Sequence, residues 1–131
     1  IYMNKILVEV SIGELLDKIS ILEIKQEKIK DSDKLKYIQD EYNVLKEQLF
    51  KNVKSDDKLN ELFESLKEIN SKLWVIEDDK RLCEKYSDFS EKFIKLSRDV
   101  HFLNDKRAQI KLKINNHTGS KIKEIKEYTK Y

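Results

Sequence analysis

The sequence contains no proline, only two glycines and only one cysteine in 131 residues. Sheets of many strands need a tight turn every few residues, and such turns are built largely from glycine and proline. The shortage therefore excludes a β-sandwich or a β-barrel. Charged residues make up 40% of the chain, and leucine, isoleucine, lysine and glutamate are abundant. This composition favours long amphipathic helices.

Long apolar runs are also missing. No run approaches the roughly 20 residues that a membrane-spanning helix requires, and the beginning of the chain lacks the basic and then apolar pattern of a signal peptide. The only cysteine, Cys83, has no partner for an internal disulfide. These features predict a protein without a membrane span in a reducing, cytoplasmic location.

The charge is nearly balanced, with 27 lysines and arginines against 25 aspartates and glutamates, for a formal net charge of +2. The excess lies in residues 118–131, whereas residues 1–117 are neutral overall. Proteins that bind duplex nucleic acid carry a clearly basic face. The distribution therefore predicts no nucleic-acid binding.

Apolar residues recur at spacings of three and four along most of the chain, which predicts amphipathic helices. The first is predicted over residues 11–30, where Ser11 and Glu14 fit a capping box. In that box the Ser11 hydroxyl accepts from the Glu14 amide, and the Glu14 carboxylate returns to the Ser11 amide. The second is predicted over residues 33–51, and its unbroken apolar seam is typical of coiled-coil packing.

Two further helices of about 28 residues each are predicted to form an antiparallel hairpin around residues 86–88. The polar stretch at residues 52–57 either separates helices two and three, with Ser55 as a candidate cap, or lets one helix continue through it. Gly119 is the expected end of helix four. The predicted fold is all-α, an elongated antiparallel bundle of about four helices in one domain over residues 1–131.

Both ends of the chain depart from the helical pattern. Residues 5–10 are rich in β-branched and apolar residues, which predicts an extended segment before the bundle at residues 11–117. The basic tail at residues 118–131 fits either a last helical turn or a strand. We favour a strand that pairs with residues 5–10, because two lone extended segments then satisfy each other's backbone groups.

The three arginines are informative in a chain whose other 24 basic residues are lysines. Arg81, Arg98 and Arg107 all lie in the predicted hairpin, as does the only tryptophan, Trp74. A guanidinium offers a planar fork or a stacking surface. Pairing the hairpin about its turn places Trp74 roughly opposite Arg98, within reach of a cation–π contact. In the alternative interpretation, Arg81 pairs with an acidic residue one turn earlier and Trp74 belongs to the core.

Arg107 occupies a position in the apolar seam of helix four, which predicts burial. A buried guanidinium must be paired with carboxylates or with an anionic ligand. In an up-down bundle, helix one runs antiparallel to helix four and brings Asp17, Lys18 or Glu23 near Arg107. The residue is then either half of an internal ion pair that sets the helix register or a clamp for a carboxylate or phosphate.

Patterns for metal binding and nucleophilic catalysis are missing. His101 and His117 are the only histidines, and the sequence has no Glu-x-x-His pair, no zinc-ligand spacing and no glycine-rich phosphate loop. Cys83 has no obvious base beside it. We therefore predict no metal and no cofactor, and leave open whether the protein is an enzyme.

Four stretches of the chain carry a family resemblance: residues 8–25, residues 73–81, residues 104–108, and an ending made of residues 119–120 and 124–128. Together they resemble a bacterial and phage family of small proteins known as a domain of unknown function. The resemblance implies no assigned activity. Its signature stretches contain polar residues that the helical seams do not require, and these are the candidate ligand-binding residues: Glu14, Asp17, Lys18, Glu77, Asp78, Arg81, Asn104, Asp105 and Arg107. Trp74 and Arg98 are secondary candidates.

Two functions from different classes remain. The first is a non-catalytic helical protein–protein interaction or homo-oligomeric module, expected as a dimer. The reason is that the sequence predicts long amphipathic helices and contains no recognised set of catalytic residues. The alternative is a binding site or small enzyme for an anionic metabolite, such as a sugar nucleotide, a phosphate or a carboxylate. Clustered arginines and acidic residues would form that site.

Overall fold

The fold is described by a computed structural model that covers residues 4–131, so the first three residues of the predicted domain lie outside the described range. Over this range the chain forms four α-helices: α1 (Ile12–Lys28), α2 (Ser32–Asn52), α3 (Asp57–Lys85) and α4 (Glu91–Thr118). The predicted all-α bundle with a long C-terminal hairpin is confirmed. None of the helices in the described part of the chain is both long and apolar enough to cross a membrane.

Capping side chains set the ends of the first two helices. The Ser11 hydroxyl accepts from the Glu14 amide at 3.0 Å, as predicted. The second predicted hydrogen bond of the capping box, from the Ser11 amide to the Glu14 carboxylate, is wrong, because that carboxylate instead accepts from Lys111 on α4. Helix α1 ends two residues earlier than predicted, since Ile29 has extended backbone angles. Asp31 caps α2 by accepting from the backbone amides of Asp33 and Lys34.

Helices α2 and α3 are separate. The cap of α3 is Asp56 and not the predicted Ser55, because the Asp56 carboxylate accepts from the Leu59 amide at 2.7 Å. At the same open end of the hairpin, Gly119 has a left-handed backbone with φ of 68° and ends α4 as expected.

Helix α1 lies at the centre of the bundle. It packs against the other three helices, and α2 packs mainly against α1. The core joins Leu16 and Ile19 of α1 to Leu62 and Leu66 of α3 and Ile114 of α4. At 1.5 Å per residue, α1 spans about 25 Å and α3 about 43 Å. The far end of the α3–α4 hairpin therefore extends beyond α1.

The predicted strand pair between the two ends of the chain is wrong, since residues 4–131 contain no strand. Residues 5–10 are exposed. The tail turns back along α4 instead: Ser120 Oγ accepts from the Ile12 amide at 3.2 Å, and the Tyr131 hydroxyl donates to Asp105. These side-chain contacts hold the tail on the bundle, whereas a lone two-stranded ribbon is marginally stable.

Candidate functional site

Polar side chains from α3 and α4 converge on Asp17 of α1, which is 1% exposed. Arg107 of α4 donates through Nε to Asp17 Oδ1 at 3.0 Å and through Nη2 to Oδ2. Asn70 Nδ2 of α3 donates to Asp17 Oδ1 and to Ser20 Oγ, each at 2.8 Å. No buried side-chain nitrogen or oxygen among the described residues lacks a partner. The predicted register ion pair between helices one and four is therefore formed by Asp17.

Hydrogen bonds decide the charge state of this pair. Burial alone would raise the pKa of Asp17, but hydrogen bonds from Arg107 and Asn70, with the positive charges of Arg107 and Lys111, bring that pKa below its ordinary value. The hydrogen bond to Asp17 likewise raises the pKa of Arg107. Both groups are therefore ionised at neutral pH.

Lys111 extends the network one turn further along α4. Its buried ammonium donates to Glu14 at 2.7 Å and to Glu124 of the tail at 3.0 Å, and lies 3.9 Å from Asp17 Oδ2. Burial lowers the pKa of Lys111, but hydrogen bonds to the two glutamates outweigh it and leave that pKa above its ordinary value. We did not select Lys111 from the sequence, although its position four residues after Arg107 places it on the same helix face.

Asn70 is the second network residue that sequence reasoning missed. The available signal was a polar residue within the apolar stripe of helix three, between Leu66 and Leu73. Such a residue is buried on the face that packs against α1 and needs a partner there. The partner, Asp17, lies 53 residues away in the chain.

A cleft of about 330 Å³ opens beside this network, between α1, α3 and α4. We call it the α1–α3–α4 cleft, and it is lined by Ile21, Ile24, Asn70, Leu73, Trp74, Glu77, Asp78, Arg81 and Arg107. Five residues singled out from the sequence thus meet at one surface: Trp74, Glu77, Asp78, Arg81 and Arg107.

Arg81 differs from Arg107 in its surroundings. It is exposed, and within residues 4–131 its guanidinium forms no ion pair. The intrahelical pair with an acidic residue one turn earlier is therefore not formed. Arg81 lines the cleft with a guanidinium that no carboxylate of the described chain neutralises.

The predicted contact between Arg98 and Trp74 is wrong. The Arg98 guanidinium instead lies 5.8 Å from the centre of the Phe102 ring. Phe102 follows four residues later on the same helix face, so it is a nearer stacking surface than a side chain across the hairpin. Trp74 lines the α1–α3–α4 cleft.

Three other candidates do not line the cleft. Lys18 forms a surface pair with Glu14 at 3.9 Å. Asn104 Oδ1 accepts from Nη1 of Arg107 at 3.5 Å, one turn along the same helix. Asp105 binds the hydroxyl of the last tyrosine in the tail.

The cleft combines groups suited to binding. A guanidinium binds a carboxylate or phosphate with two parallel hydrogen bonds, and the indole of Trp74 offers a flat apolar surface. The carboxylates of Glu77 and Asp78 accept hydrogen bonds from hydroxyl or ammonium groups. In the described part of the chain, no three His, Cys, Asp or Glu side chains are grouped to hold a metal ion.

A model of one protein family matches residues 6–131, nearly the whole chain; it is described as a family of unknown function, DUF6165. No curated protein and no solved structure is significantly similar to the chain.

Proposed function

The chain belongs to the DUF6165 family, and because that family has no assigned activity, we propose a function from the geometry. The protein is a non-catalytic binding module whose α1–α3–α4 cleft receives a small ligand with a carboxylate or phosphate group. One observation carries this proposal: Trp74, Arg81 and Arg107 line the same cleft, although they are distributed over two helices.

The Arg107 guanidinium is oriented by its hydrogen bonds and keeps donor capacity for a ligand. Its Nε and Nη2 are engaged by Asp17, while Nη1 has only the long 3.5 Å contact to Asn104. The side chain remains 29% exposed. A guanidinium that is already oriented loses little conformational entropy when it binds an anion. Arg81 supplies a second guanidinium, and its charge is available for an anionic group.

The acidic residues of the cleft narrow the ligand class. A ligand that carries only negative charge meets the repulsion of Glu77 and Asp78, which also line the cleft. A ligand with hydroxyl donors beside its anionic group satisfies both the guanidinium and the carboxylates. Phosphorylated sugars and sugar nucleotides have this combination, and an aromatic surface such as Trp74 suits their apolar faces.

Thermal unfolding with a panel of UDP-glucose, glucose 6-phosphate and a dicarboxylate tests the proposal. A ligand at a hundred times its dissociation constant adds about 2.7 kcal/mol, which raises the melting temperature by several degrees in a domain of this size. Arg81→Gln should abolish the shift and leave the ligand-free melting temperature unchanged, because Arg81 forms no ion pair in the described chain. Arg98→Gln is the matched control and should retain the shift.

Two outcomes contradict the binding proposal. One is a wild-type protein whose melting temperature responds to no member of the panel at millimolar concentration. The other is a shift that Arg81→Gln retains in full, which would locate the ligand elsewhere.

A specific observation favours a second function, that of a protein–protein interaction module. Val75, Ile76, Phe102 and Leu103 line a groove of about 620 Å³ on a face of the α3–α4 hairpin to which α1 contributes no residue. Val75 is 47% exposed. An apolar groove rimmed by charged residues is typical of a surface that another protein covers. We call it the hairpin groove.

Site-specific photocrosslinking in cells tests this second function. A photoreactive amino acid at position 75 should yield a cross-linked adduct. The matched control is position 44 on α2, where Val44 is 58% exposed but lies outside the hairpin groove. Absence of an adduct at position 75, or equal adducts at both positions, would contradict an interaction through the groove.

We also propose that the protein acts in the cytoplasm. The support is its only cysteine, Cys83, which is buried and unpaired within the described chain. Fractionation of cells that produce the protein, with antibodies against residues of the exposed tail, would test the location.

A further inference from the structure

The charged residues around the hairpin groove are of both signs. Its apolar centre consists of Val75, Ile76, Phe102 and Leu103, and its charged lining residues are Glu68, Lys72, Asp99 and Lys106. Two acidic and two basic residues make this rim neutral overall. A strongly charged partner would meet like charges at two of the four positions. On α3, Glu68 and Lys72 already pair with each other at 3.4 Å. A second copy of the chain, related by a two-fold axis, presents the same patch and is able to place Asp99 opposite Lys106.

From this juxtaposition we propose that the hairpin groove is covered by a second copy of the same chain, antiparallel to the first, with the two-fold axis at the level of Phe102 and Leu103. The inference rests on the second proposed function, an interaction through the groove, and names its partner. Two hairpins packed face to face form a four-helix arrangement, which buries the exposed side chain of Val75 in both copies.

Positions along α4 define the contacts that this arrangement requires. Asp99 and Lys106 lie at equal distances along the helix on either side of Phe102 and Leu103, about 10 Å apart at 1.5 Å per residue. A two-fold axis at that level brings Asp99 of each copy opposite Lys106 of the other.

The two residues are suited to this exchange. Within residues 4–131, Lys106 forms no ion pair. Asp99 accepts only from Lys95 on its own helix, at 2.8 Å, and that lysine is largely exposed. Docking therefore gives Lys106 a carboxylate and costs Asp99 no buried contact.

A charge exchange tests the proposed geometry by sedimentation equilibrium or light scattering across a range of protein concentrations. Asp99→Lys alone and Lys106→Glu alone each place like charges opposite each other twice in the dimer. Each should raise the dimer dissociation constant by about tenfold or more. The double variant Asp99→Lys with Lys106→Glu restores opposite charges and should recover the wild-type dissociation constant to within about threefold.

Control variants separate association from folding. Lys95→Ala removes the intrahelical partner of Asp99 and should leave the dimer dissociation constant unchanged. Circular dichroism should show the same helix content in all variants, because both exchanged residues lie on the rim. Val75→Glu should prevent association, whereas Val44→Glu should permit it.

The outcomes distinguish this inference from the function on which it rests. A photocrosslinked adduct at position 75 with twice the mass of the chain supports the second copy. An adduct of any other mass overturns the second copy and leaves the interaction function standing. A monomer at every concentration, or a double variant as weakened as the single ones, also overturns the proposed dimer. No adduct at all contradicts both.

Discussion

Arg107 and Asp17 form a two-nitrogen ion pair where α1, α3 and α4 meet. The carboxylate is buried, whereas the guanidinium keeps 29% of its side chain exposed toward the side of the cleft. The hydrogen bonds of the buried carboxylate thus join α1 to α4, and the exposed part of the guanidinium borders the proposed ligand site. A substitution of Arg107 is therefore expected to change both stability and ligand binding. A substitution of Arg81, which forms no ion pair in the described chain, tests ligand binding alone.

Removing Arg107 should destabilise the fold. Arg107→Met leaves the buried Asp17 carboxylate with only Asn70 and the more distant Lys111 as partners. We expect the free energy of unfolding to fall by about 3 kcal/mol, the low end for breaking a buried pair, because the guanidinium is partly exposed. Urea unfolding measures this loss. Arg98→Met, which alters only a surface stack, should change stability by less than about 0.5 kcal/mol, and equal losses in the two variants would contradict a special role for Arg107.

Acid should weaken the fold through Asp17. Burial alone would raise the pKa of Asp17, but hydrogen bonds from Arg107 and Asn70 lower it below its ordinary value. Since the folded pKa is lower than the unfolded one, this carboxylate contributes stability that is present above about pH 4 and lost as the pH falls through the folded pKa. The difference in urea midpoint between pH 7 and pH 3 should be smaller for Asp17→Asn than for the wild type. An identical difference would assign the acid sensitivity to other groups.

Alkaline conditions should weaken the fold through Lys111. Burial lowers the pKa of this ammonium, but hydrogen bonds to Glu14 and Glu124 raise it above its ordinary value. The resulting stability is present below the unfolded pKa and is lost as the pH rises through the folded pKa. The loss of stability between pH 9 and pH 12, followed by circular dichroism in urea, should be smaller in Lys111→Met. Lys113→Met, on an exposed face of the same helix, should behave as the wild type.

Gly13 should not tolerate a methyl group. A Cβ there would lie 2.6 Å from the Lys111 carbonyl oxygen and 2.9 Å from Asn115 Oδ1, so α1 must move away from α4. We expect Gly13→Ala to cost about 1–3 kcal/mol of unfolding free energy, as overpacking does. At Gly119 a Cβ has open space, and the cost arises only from its left-handed backbone. Gly119→Asn should therefore be milder, and the reverse order in urea unfolding would contradict the close approach of the two helices.

The cap of α1 should contribute measurably to stability. The Ser11 hydroxyl accepts from the Glu14 amide and is buried. Ser11→Ala should lower the free energy of unfolding by about 1 kcal/mol. Ser90 occupies the corresponding position before α4 but forms no side-chain cap hydrogen bond, so Ser90→Ala should cost less. Thermal or urea unfolding of the two variants makes the comparison, which a larger loss at Ser90 would contradict.

Patterns in the sequence predicted the four helices, their approximate ends and the antiparallel hairpin. These features depend on local properties: apolar spacing along one face, capping side chains such as Ser11, and the left-handed preference of Gly119. An arginine in an apolar seam requires a partner, so the sequence also placed Asp17, Lys18 or Glu23 of helix one near Arg107, but it left open whether that partner is an internal carboxylate or an anionic ligand. The polar candidates came from the family resemblance, and five of the residues singled out line one cleft.

Which side chains meet across helices depends on tertiary packing and could not be read from the sequence. The rotation of α3 about its axis brings Asn70 to Asp17 and places Trp74 and Arg81 beside Arg107, and this rotation depends on how three helices pack together. The path of the tail was decided in the same way, since Glu124 meets Lys111 only after Gly119 has turned the chain back along α4. Spacing along a chain defines the face of each helix, but the distances between faces arise from close packing of side chains that are far apart in sequence.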